Sequence, residues 1–202
     1  MPSQPRRRTP STDVEQALVD AAERVLVRDG PAAVTVRAVA TEAGVAPMGV
    51  YNHLGGKQGL TDALLERGFR GLRAAVAAAS GSDALARLRD SGRGYRRYAL
   101  THPQHYAIMF DRVARPGSYQ DPTIVEAADA FGALVSHVVA AMDSGQIRPE
   151  DPSAVALRIW CTVHGALSLE LRGFIDPAIA DGAYELLLDY IIRAVAVEPA
   201  DR

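Results

Sequence analysis

Residues 35–57 read TVRAVATEAGVAPMGVYNHLGGK, and the reading of this stretch decides the fold. Thr35 is a good N-cap, because its hydroxyl can accept a hydrogen bond from one of the first helical N–H groups. Val36, Val39, Ala40 and Ala43 then recur at helical spacing on one side. Gly44 stands where a left-handed residue closes a short helix, and Val45 is expected to follow as a buried plug. Pro47 suits the first position of a second short helix, where its missing N–H costs nothing. Gly55-Gly56 stops that helix. Two short helices joined by a Gly-containing turn make a helix-turn-helix. In the second helix, Val50 and Leu54 can face inward with Val45, which leaves Met48, Gly49, Asn52 and His53 outward. An outward face with so little charge is odd for a surface helix. It makes sense if that face meets base-pair edges in a major groove.

A helix this short is marginal alone, so its neighbours must hold it. Upstream, Thr12 and Glu15 read as a capping box. Val14, Leu18, Ala21, Ala22, Val25 and Leu26 follow as one apolar stripe, ended by Gly30-Pro31. Downstream, a fourth helix runs from about Lys57 to Ala79. A fifth, capped by Ser82 or Asp83, reaches Thr101. His102-Pro103 breaks it and starts a short sixth through Phe110. A loop carries Pro116, Gly117 and Asp121-Pro122, and a seventh helix runs to Ser144. Asp151-Pro152 and Asp176-Pro177 each pair an N-cap with proline and open the eighth and ninth. The predicted fold is all-α, nine helices in two domains. It has a basic arm over 1–11, a helix-turn-helix domain over 12–60 and a larger helical domain over 61–202.

Composition narrows the function. The chain has 202 residues and a formal net charge of −2, so it is no polycation. Any nucleic-acid partner must meet a local patch. Residues 1–57 carry seven basic and six acidic side chains, so that patch must come from geometry. Lys57 is the only lysine and Cys161 the only cysteine, which excludes an intramolecular disulfide and a Cys-rich metal cluster. The N-terminus has no apolar core behind Arg6-Arg7-Arg8, so it is not read as a secretory signal. No stretch approaches about 18 uninterrupted apolar residues. The expectation is a cytoplasmic protein with no membrane partner. Arg6-Arg7-Arg8 reads as a solvated tail, with a minor-groove arm as the alternative.

Catalytic constellations are not expected. Cys161 and His164 share a helix face, but a lone buried cysteine is usually an inert small hydrophobe. No phosphate-binding glycine loop, nucleophile elbow or HExxH motif occurs. No cofactor, metal or catalytic residue is predicted.

The residues Thr35 to Ala40, Ala43-Gly44-Val45, Val50-Tyr51-Asn52-His53-Leu54 and Lys57 resemble the N-terminal domain of the TetR family of transcriptional regulators. The resemblance spans roughly residues 14–65. It implies an all-α dimer that binds double-stranded operator DNA and is released by a small effector. It also implies roles. Thr35 would bond a phosphate and Arg37 a phosphate or base. Pro47, Met48, Gly49 and Asn52 would line the recognition face. Tyr51 and His53 match the family's Tyr-x-His and would reach phosphates. Lys57 would hold a phosphate at the start of the fourth helix, aided by the helix dipole. This chain departs from the pattern at Ala46, which offers no side-chain cap, and at Gly49, which weakens its helix by about 0.5–1 kcal/mol relative to alanine.

Two features of the second half bear on assembly and ligands. The ninth helix keeps only one narrow polar stripe, Glu185, Asp189 and Arg193, among Leu186, Leu187, Leu188, Tyr190, Ile191 and Ile192. The eighth carries Ala154, Leu157, Cys161, His164, Ser168 and Leu171 at spacings of three and four. A two-fold dimer through helices near 152–172 and 177–197 is predicted, with a monomeric core as the alternative. Tyr95, Tyr98, Met109, Phe110, Phe131, Trp160 and His164 could line a cavity for an apolar or aromatic effector, or simply form the core. Trp160 to Gly165 resembles, more loosely, the Trp…His-Gly signature of one ligand-domain subclass of the family. The function expected is a repressor that leaves a palindromic operator when effector binds. The alternative is a helical DNA- or partner-binding protein with no small-molecule switch.

Overall fold

The computed structural model describes residues 11–110 and 122–197. The Arg6-Arg7-Arg8 run and the loop residues Pro116, Gly117 and Asp121 lie outside the described residues. Nine α-helices and no strand are present among the described residues: α1 Ser11–Asp29, α2 Val36–Ala43, α3 Pro47–Leu54, α4 Lys57–Ala77, α5 Ala84–Thr101, α6 Pro103–Phe110, α7 Pro122–Asp143, α8 Pro152–Leu171 and α9 Pro177–Val195.

The helix starts follow the capping chemistry. Thr35 sits at extended dihedrals and accepts from the Ala38 N–H at 3.2 Å. Asp83, Asp151 and Asp176 accept in the same way from Ala86, Ser153 and Ala178. Each such cap contributes on the order of 1 kcal/mol. The first helix differs from expectation: it begins at Ser11, so Thr12 lies inside its first turn and not at the cap.

The chain divides into two compact units, and the division falls inside α4 between Arg67 and Gly68. The first unit holds α1, α2, α3, the start of α4, and α6 from Gln104. Its core joins Leu18, Ala22, Val25 and Leu26 of α1 to Val39 of α2 and Val50 of α3, all essentially inaccessible to water. In α6, His105 is buried, and its Nε2 lies 3.7 Å from the Glu23 carboxylate of α1. Arg67 of α4 bonds both Glu23 and Asp20.

The second unit holds the rest of α4, α5, α7, α8 and α9. Helix α5 meets α9 through a ladder of ion pairs in antiparallel register. Arg89 pairs with Asp189, Arg93 with Glu185 and Arg96 with Asp181. Arg96 also bonds Glu170 of α8 at 2.6 and 2.8 Å, and its guanidinium lies 5.1 Å over the Tyr184 ring. Glu185 and Asp189 of the α9 polar stripe therefore face α5, while Arg193 is exposed. Ile179, Leu186, Tyr190 and Val197 are left exposed, with Tyr190 at 75%. On α8 the inner residues are Val155, Ile159, Val163 and Leu167, while Leu157, Cys161 and Leu169 are exposed. Cys161 was expected to be buried; it sits instead on the outer face of α8.

By length and hydropathy alone, α7 and α8 each pass for a membrane span, at mean hydropathies of 1.5 and 1.2. Neither is an uninterrupted apolar run: Glu126 and Asp129 break α7, and Arg158 and Glu170 break α8. Both helices contribute core residues to the second unit, among them Leu134, Val138, Ile159 and Val163. Helix α7 also pairs Glu126 and Asp129 with arginines of α4.

Candidate nucleic-acid interface

The turn between α2 and α3 is closed by Gly44 at φ 67°, a left-handed conformation that favours glycine. Its N–H donates to Thr41 and the Val45 N–H donates to Ala40 at 2.9 Å. These bonds satisfy the last carbonyls of α2 and set the angle at which α3 leaves. Pro47 occupies the first turn of α3, and Ala46 supplies no side-chain cap.

Val45 is not the plug that the sequence implied; it is exposed. Val45 lies beside Gly49, the glycine in the first turn of α3. A Cβ there would lie 3.6 Å from a Val45 methyl, so Val45 leans over the first turn of α3, where glycine offers no side chain to cover it. Val50 is buried as expected, and Leu54 is half-buried.

None of the nine residues assigned to DNA is buried. Arg37, Pro47, Met48, Tyr51, Asn52 and Lys57 are exposed, and Thr35, Gly49 and His53 are half-buried. Met48 and Tyr51 stand out, at 64% and 54% exposure. They are large side chains held in water on a helix whose other face is sealed, which marks a surface with a partner. Gly56 was read from sequence only as a stop. It has φ 95°, and a Cβ on it would come within 2.8 Å of the Tyr51 ring. The bare backbone at Gly56 thus forms a seat for that ring. An aromatic four residues before a Gly-Gly pair was the available signal.

Charge is sorted by position in this unit. Arg24 and Arg28 are tied to Glu42 at 2.8 and 2.9 Å, and Arg67 to Asp20 and Glu23. The hydrogen bond from Arg67 holds the Asp20 carboxyl below its ordinary pKa, and bonds from Arg24 and Arg28 do the same for Glu42. Arg37 and Lys57 have no ion-pair partner among the described residues. Both are exposed, and in the chain they bracket the helix-turn-helix, one in α2 and one at the start of α4.

The seven candidate ligand residues do not all meet. Tyr95, Phe131, Trp160 and His164 come together in the second unit. Tyr95 Oη lies 2.8 Å from His164 Nδ1, and the Trp160 indole N–H donates to Tyr95 Oη at 3.3 Å. Phe131 stands edge-on to Trp160 with centroids 6.1 Å apart. Tyr98 turns elsewhere, donating to the Gly68 carbonyl and stacking on His102. Met109 and Phe110 belong to α6 in the first unit.

Comparison with known proteins agrees with this architecture. Residues 18–64 match the family model described as bacterial regulatory proteins, tetR family. Residues 88–195 match the tetracyclin repressor-like C-terminal domain. The uncharacterized HTH-type transcriptional regulator Rv0681 of Mycobacterium tuberculosis is 28% identical over 90% of this chain and 79% of that protein. A structure of a protein of unknown function from Rhodococcus sp. RHA1 superposes with a TM-score of 0.79 at 30% identity, covering 96% of this chain and all of that one. At 20% identity, the TetR-family regulator PfmR from Thermus thermophilus shares the fold with a TM-score of 0.65, over 93% of this chain and 100% of its own. With both halves matched in order, and with an exposed α3 beside Arg37 and Lys57, the chain belongs to the TetR family of DNA-binding transcriptional regulators.

Proposed function

We propose that this regulator is a cytoplasmic, homodimeric repressor that reads a palindromic operator and leaves it when a small effector binds its second unit. The observation that carries the DNA half is the sorting of α3. Val50 is sealed in the core, while Met48, Tyr51 and Asn52 stand in water, and Arg37 before them and Lys57 after them in the chain are exposed. In this reading Met48, Gly49 and Asn52, with Pro47 ahead of them, approach base edges, where apolar contact favours thymine methyls and an amide favours adenine. Thr35, Tyr51, His53, Lys57 and Arg37 hold phosphates and fix the register.

Dimerisation is supported by the exposed apolar faces of α8 and α9, which water would not leave uncovered without a partner. The effector site is supported by Tyr95, Phe131, Trp160 and His164, an aromatic group with polar handles. Helix α4 is continuous from Lys57 to Ala77, so one rod runs from a phosphate contact into the second unit. An effector acts through that rod only by its differential affinity for two positions of it.

Selection of bound duplexes from a random DNA pool tests the reading. The expected winners are inverted repeats with half-sites one helical turn apart, about 34–36 Å. A pool that emerges without enrichment, or with half-sites that show no symmetry, overturns it.

A further inference from the structure

Two glycines at positive φ join α3 to α4, Gly55 at 68° and Gly56 at 95°. Their surroundings differ. Gly55 closes α3: its N–H donates to the Tyr51 carbonyl at 3.0 Å. It is exposed, and a Cβ on it would meet no atom within 4 Å. Gly56 opens α4: its carbonyl accepts the Leu60 N–H at 3.2 Å. It is buried, although Gly55 and Lys57 on either side of it are exposed. A Cβ on Gly56 would come within 2.8 Å of Tyr51 Cε1 and 3.0 Å of Cδ1, so one edge of the ring lies against the bare α-carbon. Gly59, in the first turn of α4, makes a second close approach to α3. A Cβ there would overlap the Leu54 carbonyl.

Tyr51 therefore leaves from α3 but takes its register from the start of α4. An exposed tyrosine ordinarily samples several rotamers. Contact with Gly56 selects one of them, and a side chain fixed in advance loses less entropy when it meets its ligand.

We propose that Gly56 is a positioning residue for DNA binding: given Tyr51 as a phosphate contact, the bare α-carbon of Gly56 seats the Tyr51 ring so that its hydroxyl is presented in register with Lys57, the next residue. The seat is measured separately from its effect on binding.

Phosphate contacts act on any sequence, so a duplex of arbitrary sequence at low salt serves as the probe. Fluorescence anisotropy is read for Gly56→Ala, Gly55→Ala, Tyr51→Phe, and Gly56→Ala combined with Tyr51→Phe. Gly55→Ala is the matched control, since it places alanine at a positive φ without displacing the ring. Gly56→Ala is expected to weaken binding about tenfold, the scale of one hydrogen bond to a charged group. Gly55→Ala is expected to cost no more than about twofold, because its strain acts on folding. Tyr51→Phe is expected to lose about the same tenfold, and Gly56→Ala to add little once the hydroxyl is gone. In the parent chain, nuclear magnetic resonance is expected to show contacts from the Tyr51 ring to the Gly56 α-protons and a single χ1 rotamer, a readout that needs no variant to fold. Equal losses in the two glycine variants, or a Gly56→Ala loss undiminished beside Tyr51→Phe, overturn the proposal. So does a parent ring that averages among rotamers. Tyr51→Phe binding as tightly as the parent sinks the phosphate role of Tyr51, and the effect of Gly56 on binding falls with it, while ring contacts to Gly56 would leave the seat in place.

Discussion

Tyr51 is held by a contact that only glycine permits. Gly56, at φ 95°, presents bare backbone to the ring, so an exposed aromatic that would otherwise sample several rotamers is given one seat beside α3. One residue on, Lys57 opens α4, where N–H groups without partners and the helix dipole already favour an anion. Its ammonium is exposed. Lys57→Ala is therefore expected to weaken every DNA sequence by a similar factor and to reduce the slope of log affinity against log salt by about one. Fluorescence anisotropy at several salt concentrations, on operator and on scrambled duplex, checks this. An altered preference at a single base pair would instead place Lys57 at a base edge. Residue by residue, the helix-turn-helix that carries the candidate interface was legible because caps and positive-φ turns are local. Thr35, Gly44 and Pro47 each act on atoms within four residues. Val45 was misread because burial depends on what faces a side chain, and the glycine it lies beside is four positions further along.

Helix α9 buries Tyr184, Leu188 and Ile192, sets Glu185 and Asp189 against arginines of α5, and leaves Ile179, Leu186 and Tyr190 exposed. The ladder to α5 fixes which way it faces. Arg89, Arg93 and Arg96 meet Asp189, Glu185 and Asp181, so a slip of one residue would separate every pair. The Arg93 hydrogen bond holds the Glu185 carboxyl below its ordinary pKa, as Arg24 and Arg28 hold Glu42 and Arg67 holds Asp20. A carboxyl that is more acidic folded than unfolded contributes stability above its unfolded pKa, about 4. That contribution is lost as pH falls through the lower folded value. The melting temperature is thus expected to be level from neutral pH down to about 5 and to fall progressively below about 4. In Glu185→Gln, followed by circular dichroism, the acid limb should be shallower; an identical limb would show that the pair has no part in it. Both sides of Glu185 and Arg93 are nearly half exposed, so solvent screening keeps the share of this pair small. Periodicity revealed the narrow polar stripe of α9 but not its destination. Pairing across some ninety residues leaves no local trace. The same reason hid the grouping of α6 with the first unit, where His105 approaches Glu23.

At the scale of the whole molecule, half of the large exposed hydrophobics among the described residues fall on α8, α9 and the segments adjoining them: Leu157, Leu169, Phe174, Ile179, Leu186, Tyr190 and Val197. Burial of such a surface against a second copy is the simplest way to remove it from water. Leu186→Glu combined with Tyr190→Glu is expected to convert a dimer into a folded monomer of about 21.6 kDa. It is also expected to lower operator affinity by orders of magnitude, because two linked half-sites become independent. Sedimentation velocity at micromolar concentration reads the first effect and gel retardation the second. A parent chain that already sediments as a monomer removes the premise.

In the proposed dimer, the exposed apolar residues of α9 also tie the life of each copy to the number of its siblings. A chain just off the ribosome offers this greasy band to chaperones and proteases until a twin arrives, because association stabilises by mass action only what it can find. Below some abundance newly made copies are cleared before they mate, and above it they persist. In the proposed dimer, a threshold in steady-state level thus follows from the exposed face of α9.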